Sequence, residues 1–209
     1  MWKKLIALLL GRRPQGSTPG ASAIGGSVSI TLGTGYSTED NVKPETIWNP
    51  SPNFAEDLDR KISIIVIHAT ATPGLKSPLA WLCDPASKAS AHYLIDLDGT
   101  IYHLVLDEHV AWHAGVSKWK GREHTSLKTG NSTVNNCSIG IELVNANDGK
   151  QVYPKEQVFA CAKLCKYLKD EFSVADCDIV GHLDVAPGRK NDPVGFDWEA
   201  FRQGMAGIS

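Results

Sequence analysis

The chain carries little net charge and has no long apolar segment. Its 21 Lys and Arg residues nearly balance 23 Asp and Glu residues, which leaves a formal net charge of −2 at pH 7. This balance excludes the strong positive field typical of nucleic-acid-binding proteins, so no nucleic-acid partner is expected. The apolar run at 5–10 is far shorter than the roughly 20 residues that span a bilayer. With 42% hydrophobic and 21% charged residues, the composition predicts a folded globular domain.

The cysteines show no CxxC spacing, and no HExxH sequence occurs in the chain. There are five, an odd number that argues against a full disulfide framework: Cys83, Cys137, Cys161, Cys165 and Cys177. Cys161 and Cys165 are four positions apart and share one face of a predicted helix. A metal site built on them would need further ligands nearby, so buried free thiols are the favoured interpretation. The missing HExxH weakens the hypothesis of a zinc peptidase.

Three segments differ in composition along the chain. Residues 1–13, MWKKLIALLLGRR, combine basic residues with a short apolar run. This pattern fits either a weak signal peptide or a short amphipathic helix that contacts an anionic membrane surface or a partner. Residues 14–46 are rich in Gly, Ser and Thr and predict a linker arm. The compact domain is expected to cover residues 47–209.

Apolar runs and one long helical segment predict an α/β, or mixed α+β, domain. ISIIVIH at 62–68 is a β-branched run typical of a strand covered on both faces, and AHYLIDLDGTIYHLV at 91–105 predicts a hairpin. CSIGIELV at 137–144 predicts another strand, in which Gly140 marks a bulge or a close approach. Residues 154–172 have helical periodicity. We therefore expect a central mixed β-sheet flanked by helices, with a cleft at the strand ends.

Two histidines are the last residues of predicted strands. His68 follows the run ISIIVI, and His182 follows the short run CDIVG. Asp192 lies on the next segment, which Pro187 and Pro193 predict to be a loop. Two imidazoles and one carboxylate with an open fourth position are the ligand set of a hydrolytic zinc site, whereas calcium would need more oxygen ligands. The sequence therefore predicts Zn²⁺ as the cofactor, held in the cleft at the strand ends.

Five sequence blocks together resemble a known enzyme family. They are IIVIHATATPG, SAHYLIDLDGTIYHLV, AWHAGVS, CSIGIELVN and GHLDVAPGRKNDPV. In this order they are similar to the zinc-dependent N-acetylmuramoyl-L-alanine amidases, a family that includes anhydro-muropeptide amidases, envelope amidases, T7-type lysozymes and peptidoglycan recognition proteins. The resemblance covers about residues 47–200. It implies hydrolysis of the amide bond between N-acetylmuramic acid and L-alanine, with peptidoglycan or a muropeptide as the substrate.

The resemblance also implies roles for individual positions in the metal site. By it, His68, His182 and Asp192 are the zinc ligands, and Asp192 stands where phage relatives use Cys. Lys190, two residues before Asp192, stabilises the oxyanion that forms during amide hydrolysis. The segment with two prolines would then carry two metal ligands and a catalytic cation.

The general base follows from the same resemblance. Glu142, in the block SIGIEL, is the base in the branch of the family that uses a carboxylate. T7-type members instead use a Tyr just before a strand histidine, but here Ala91 precedes His92. The role of base therefore falls to Glu142, which would take a proton from the attacking water.

Three further residues are candidates for substrate binding. The block AWHAG matches a cleft wall of the family, so Trp112 and His113 are expected to contact the muropeptide. A packed Trp with a hydrogen-bonded His is the structural alternative. Arg189 is a candidate for binding a stem-peptide carboxylate, and a plain surface position is its alternative.

Other functions and several locations stay open at this point. A non-catalytic muropeptide-binding module and a different zinc hydrolase are the competing hypotheses. For an amidase, action in the bacterial periplasm or envelope, or as a phage-encoded lysis enzyme on the cell wall, is expected. Cytoplasmic recycling of wall fragments is the alternative location.

Overall fold

A computed structural model describes residues 42–57, 59–125 and 130–208 of the chain. The expectations for residues 1–13 and for most of the 14–46 arm lie outside this part. The strands are β1 (Ile47–Trp48), β2 (Phe54–Glu56), β3 (Ile64–Ala69), β4 (Tyr93–Ile95), β5 (Ile101–His103), β6 (His109–Ala111), β7 (His124–Thr125), β8 (Ser132–Thr133), β9 (Ser138–Leu143) and β10 (Ile179–Gly181). The helices are α1 (Lys76–Cys83), α2 (Lys155–Phe172), α3 (His182–Val185) and α4 (Trp198–Ala206).

The centre of the fold is a six-stranded mixed sheet, as the sequence predicts. Its strand order is β1-β5-β4-β9-β3-β10. Strands β4, β9, β3 and β10 run parallel, whereas β5 is antiparallel to β4 in the predicted hairpin. Two small antiparallel pairs, β2 with β6 and β7 with β8, complete the β-structure among the described residues.

The two faces of the sheet carry different side chains, because residues alternate along each strand. Ile65 and Ile67 of β3 belong to the main hydrophobic core, together with Ile139 and Ile141 of β9 and buried residues of α2 and α4. The opposite face carries Ile64, Val66 and then His68 on β3, and Ser138, Gly140 and then Glu142 on β9. The chemically active side chains of both strands therefore project from the face that is not covered by α2 and α4.

Helix α2 confirms the predicted amphipathic segment. It begins directly after Pro154, whose fixed φ suits the entry to a helix, and it ends before Ser173, which adopts a left-handed conformation with φ of 55°. Cys161 and Cys165 are fully buried on the face that packs against the sheet. All five cysteines are free thiols; Cys137 is buried like Cys161 and Cys165, as the sequence favoured, whereas Cys83 is half-buried and Cys177 is exposed.

The structure corrects the predicted position of His182. It is not the last residue of a strand, because β10 ends at Gly181 and His182 begins the short helix α3. The segment from 181 to 193 is therefore a helical turn followed by a loop, where the sequence indicated a loop throughout. The Asp184 carboxylate accepts a hydrogen bond of 2.8 Å from the Gly181 backbone N–H, which fixes the first turn.

None of the helices in the described part of the chain has both the length and the hydropathy needed to cross a bilayer. Membrane-surface contact by residues 1–13 therefore stays a prediction about a segment outside the described residues.

Asp178, just before β10, anchors the segment that follows Ser117. Its buried carboxylate accepts hydrogen bonds from Trp119 Nε1 at 2.9 Å, Lys120 Nζ at 2.9 Å and Arg122 Nη1 at 2.6 Å. Burial by itself would raise the pKa of Asp178, but these hydrogen bonds outweigh it and hold the pKa below the ordinary value.

Substitution Asp178→Asn is expected to lower the free energy of unfolding by about 1–3 kcal/mol near pH 7, because charge-assisted hydrogen bonds are lost. A carboxyl group whose pKa is lowered by folding stabilises the fold above its unfolded pKa of about 3.9. That stabilisation disappears as the pH falls through the lower, folded pKa. The difference between wild type and variant should therefore be constant above about pH 5 and shrink below about pH 4. Urea unfolding across this range measures it, and a constant difference down to pH 2 would contradict the assignment.

Candidate metal centre and active site

Three side chains from separate elements meet at one end of the sheet. His68 lies near the end of β3, His182 begins α3, and Asp192 lies on the loop that follows. Asp192 Oδ2 lies 3.1 Å from His182 Nδ1 and 3.5 Å from His68 Nδ1, and the two Nδ1 atoms are 2.9 Å apart. All three residues are buried, with exposed fractions of 1%, 3% and 6% respectively. The structure thus brings together the three residues that the sequence assigns as metal ligands.

The ring of His182 is oriented by a backbone carbonyl. Its Nε2 lies 3.2 Å from the carbonyl oxygen of Ala114, an atom that can only accept a hydrogen bond. Nε2 of His182 is therefore the nitrogen that donates toward Ala114, and Nδ1 is the nitrogen that faces His68 and Asp192.

The donor set fits a divalent metal ion. One ligand atom from each of the three residues lies within 4.8 Å of the other two. Burial lowers the pKa of His68 to about 4, so its ring is neutral at pH 7 and has a lone pair available. Burial would raise the pKa of Asp192, but its close contacts with the imidazoles of His182 and His68 outweigh burial and hold the pKa below the ordinary value, so the group stays a carboxylate. Two imidazoles and one carboxylate that converge in this way are able to hold a divalent cation, and nitrogen and oxygen ligands of this kind suit zinc.

His68, His182 and Asp192 are called the metal group below. Glu142 lies beside it because strands β3 and β9 pair in register. His68 and Glu142 are direct neighbours across the parallel pair and project from the same face. Among the described residues, Glu142 Oε2 is buried and has no hydrogen-bond partner. Burial and the nearby Asp192 carboxylate raise the pKa of Glu142 to about 8. A carboxyl with a raised pKa and one unpartnered oxygen, placed beside the metal group, is suited to exchange protons with a bound water.

Lys190 supplies the positive charge of the cleft. It lines the same cavity as Glu142, His182 and Asp192, and its side chain is exposed to the solvent in that cavity. Its charge lowers the pKa of Glu142 and that of His68, although burial dominates both shifts. Lys190 therefore acts electrostatically on the metal group and on the carboxyl beside it.

The cavity is an open cleft of about 570 Å³ above the metal group. One wall is formed by the first residues after β3 and by helix α1, including Trp81, which is 57% exposed. Trp112 lines the cleft on the side of β6, and Asn147 and Asn191 lie near Lys190. Trp81 was not singled out from the sequence, since a Trp in a short helix has no signature that separates a cleft wall from a core position.

The other two predicted substrate-binding residues have contacts that the sequence did not reveal. His113 lines the edge of the cleft, but its Nδ1 lies 2.9 Å from Nε2 of the ligand His68. Burial and the neighbouring His68 lower the pKa of His113 well below its ordinary value. Arg189 donates hydrogen bonds to the carbonyl oxygens of Ala114 and Val116, at 2.5 and 2.7 Å from Nη2, and is not among the residues that line the cleft. A role for Arg189 in binding a carboxylate stays a prediction.

The fold and the site together define a class: a mixed α+β domain with a His, His and Asp metal group in a cleft at the strand ends. The family model for N-acetylmuramoyl-L-alanine amidase matches residues 58–195. The 1,6-anhydro-N-acetylmuramyl-L-alanine amidase AmpD of Escherichia coli is 32% identical over 172 residues, which cover 73% of this chain and 88% of that protein. The chain belongs to the N-acetylmuramoyl-L-alanine amidase family.

Solved structures show the same relationship. A crystal structure of AmpD has a TM-score of 0.63 at 28% identity and covers 79% of this chain and 97% of its own. The amidase AmiD of Escherichia coli, in complex with the substrate anhydro-N-acetylmuramic acid-L-Ala-D-gamma-Glu-L-Lys, has a TM-score of 0.58 at 29% identity, covering 73% of this chain and 65% of that one. By sequence, AmiD is 32% identical over 158 residues, so this chain spans about half (53%) of its length.

Proposed function

We propose that the chain is a zinc-dependent amidase that hydrolyses the bond between N-acetylmuramic acid and L-alanine in peptidoglycan or in muropeptides. The observation that carries this proposal is the common cleft that contains the metal group of His68, His182 and Asp192 together with Glu142 and Lys190. AmpD and AmiD are both named as N-acetylmuramyl-L-alanine amidases, which supports the choice of bond. The substrate in the AmiD complex supports muropeptides as the substrate class.

Zinc held by the three ligands would act as a Lewis acid that activates water and polarises the amide carbonyl. Glu142 is the proton acceptor of the site, because its Oε2 atom is buried beside His68 without a hydrogen-bond partner among the described residues. The same carboxyl then returns the proton to the leaving amine of L-alanine. A positive charge at the metal group would favour the ionised form of Glu142 and so prepare it to accept a proton.

Lys190 is placed to stabilise the oxyanion of the tetrahedral intermediate. Its ammonium group is the cation whose charge is felt by both Glu142 and His68. Developing negative charge on the carbonyl oxygen would be attracted to the Lys190 ammonium group within the cleft.

Substitution Lys190→Met is expected to lower kcat about 10²–10³-fold, since this is the usual effect of removing one oxyanion donor. The Met side chain keeps much of the apolar stem, so zinc affinity should change little. Steady-state kinetics on a soluble muropeptide measure the effect. Lys163→Met, on the exposed side of α2, is the matched control. Activity of Lys190→Met equal to that of the control would remove Lys190 from the mechanism.

The substrate-binding surface is the open cleft between α1 and the loop with Lys190. Trp112 stays a candidate contact for the muropeptide because it lines this cleft. Trp81, exposed on helix α1 at the cleft, offers an aromatic face on which a sugar ring or an alkyl chain can pack. The openness of the cleft toward solvent is compatible with a polymeric wall as well as with a soluble fragment.

The direct test of the function is an end-group analysis of the products. The zinc-loaded protein is incubated with purified sacculi and, separately, with a soluble 1,6-anhydro-muramyl tripeptide. New L-alanine amino termini in either reaction support the proposal, whereas binding to sacculi without release of any peptide would indicate a binding module. New amino termini on other stem residues would indicate a peptidase.

The comparison of the two substrates also bears on where the enzyme acts. Action on the cell wall, in the envelope or as a phage-encoded lysis enzyme, is proposed on the basis of the basic, apolar residues 1–13. Faster cleavage of sacculi than of the soluble fragment would support it. Strict preference for the soluble anhydro-muropeptide would favour cytoplasmic recycling instead. A vesicle-binding assay with and without residues 1–13 tests the membrane contact.

A further inference from the structure

His113 lies directly behind the metal ligand His68. Its Nδ1 is 2.9 Å from His68 Nε2, and the two rings meet edge to face at an angle of 84°. The other nitrogen of His113, Nε2, lies 3.1 Å from Ser138 Oγ on β9. His113 therefore connects a metal ligand to the sheet through both of its ring nitrogens.

The directions of the hydrogen bonds that link His68, His113 and Ser138 can be assigned by starting from Ser138. The Ser138 hydroxyl donates to the carbonyl oxygen of Val134 at 2.7 Å, which uses its single hydrogen. Ser138 Oγ must then accept from His113 Nε2, so Nε2 of His113 carries a hydrogen. If His113 is neutral, its Nδ1 is an acceptor and receives the hydrogen of His68 Nε2. The lone pair of His68 is then on Nδ1, the atom that faces His182 and Asp192.

The sheet provides the space for this arrangement at Gly140. A Cβ atom added to Gly140 would lie 2.3 Å from Cγ of the His113 ring, well inside any allowed contact. Ser138, Gly140 and Glu142 alternate along one face of β9. The strand thus provides, in order, the hydrogen-bond acceptor for His113, the gap for its ring and the general base.

The second imidazole ligand, His182, is held by the backbone of Ala114, the residue after His113. His182 Nε2 donates to the carbonyl oxygen of Ala114. That carbonyl also accepts a hydrogen bond from Arg189 Nη2, which fixes the segment against the loop. The segment of Trp112 to Gly115 therefore orients both imidazole ligands, one through a side chain and one through the backbone.

We propose that His113, held by Ser138 over Gly140, is a positioning residue that fixes the tautomer and orientation of His68 for zinc binding. The proposal rests on the proposed zinc site but not on the identity of the bond that is hydrolysed. Hydrogen-bond partners of this kind hold metal-binding imidazoles in the right tautomer, and their loss commonly weakens metal affinity about 10–100-fold. The proposal reassigns His113 from contact with the substrate to support of the metal group.

The test compares zinc affinities of purified variants by competition with a chromophoric chelator. His113→Leu removes the acceptor for His68 and is expected to weaken zinc binding about 10–100-fold. His113→Gln keeps an acceptor oxygen near the same place and should recover most of that loss. Ser138→Ala removes only the acceptor for His113 Nε2 and should weaken zinc binding by a smaller factor. The matched control is His103→Phe, which replaces a buried histidine of β5 that stacks on Tyr93 of β4.

A spectroscopic measurement separates positioning from general stability. Long-range ¹⁵N–¹H spectra of the metal-free wild type should show His68 and His113 both protonated on Nε2. In Ser138→Ala the signals of His113 should report a mixture of tautomers. Equal zinc affinity of His113→Leu and wild type, no recovery with Gln, or a His113 protonated on Nδ1 would each overturn the proposal. Because neither readout uses amide hydrolysis, an inactive protein with these zinc affinities would overturn only the proposed function.

Discussion

Substitution Glu142→Gln is expected to lower kcat for release of L-alanine amino termini by about 10²–10⁴-fold, the usual contribution of a general acid–base group. Gln has nearly the same volume as Glu, so it fills the site beside His68 but cannot accept the proton of the attacking water. Zinc affinity should change little, since Glu142 is not one of the three residues that converge as a metal group.

The control for this prediction is Glu199→Gln, an exposed residue in the first turn of α4. Its activity should equal that of the wild type. Activity of Glu142→Gln within a few-fold of this control would show that another group accepts the proton, and the buried, unpartnered Oε2 atom of Glu142 would then need another explanation.

Substitution Asp192→Ala is expected to remove both metal binding and activity. Asp192 Oδ2 lies within 3.5 Å of both ligand imidazoles and is the negative charge of the group. Metal catalysis contributes several kcal/mol, and each 1.4 kcal/mol is a factor of ten, so the rate should fall about a thousandfold or more. Zinc should raise the unfolding temperature of the wild type, because it binds the folded state, but not that of Asp192→Ala.

The matched control for the metal site is Asp170→Ala. Asp170 forms an exposed ion pair with Lys166 on α2, a contact that contributes little to stability. The control should keep the zinc-dependent rise in unfolding temperature and full activity. A zinc-dependent rise of the same size in Asp192→Ala would contradict the assignment of this carboxylate as a ligand.

Much of the fold could be predicted from local patterns. The β-branched run at 62–68, the hairpin at 91–105 and the amphipathic segment at 154–172 each appear as the expected element. These signals are strong because burial on one or both faces constrains the residue types along a strand or a helix. The close approach expected at Gly140 is confirmed by the ring of His113, which occupies the space of the missing side chain.

The arrangement within the site was less accessible to the sequence. Alternation in SIGIEL already separates Ser138, Gly140 and Glu142 from the apolar positions, and this signal indicates which residues share the face of His68. The pairing of His68 with Glu142 depends on the register between β3 and β9, which no local pattern specifies. The start of α3 at His182 also depends on the cap by Asp184, a feature that the two nearby prolines obscured.

The contacts of His113 and Arg189 could not be predicted because their partners are distant in sequence. His113 meets a residue 45 positions away, and Arg189 bonds to carbonyl oxygens more than 70 positions away. A sequence block such as AWHAG indicates that its residues lie near the site. The block does not show whether its histidine contacts the substrate or another residue that binds the metal.

Zinc dependence of peptide release is the most direct test of the account. The protein is stripped with a chelator, zinc is added back in measured amounts, and new L-alanine amino termini from sacculi are counted. The account predicts no release without metal and a rise that ends at one zinc per chain, because the described residues contain a single group of three ligands. Undiminished release of peptide by protein that elemental analysis shows to be free of zinc would contradict it.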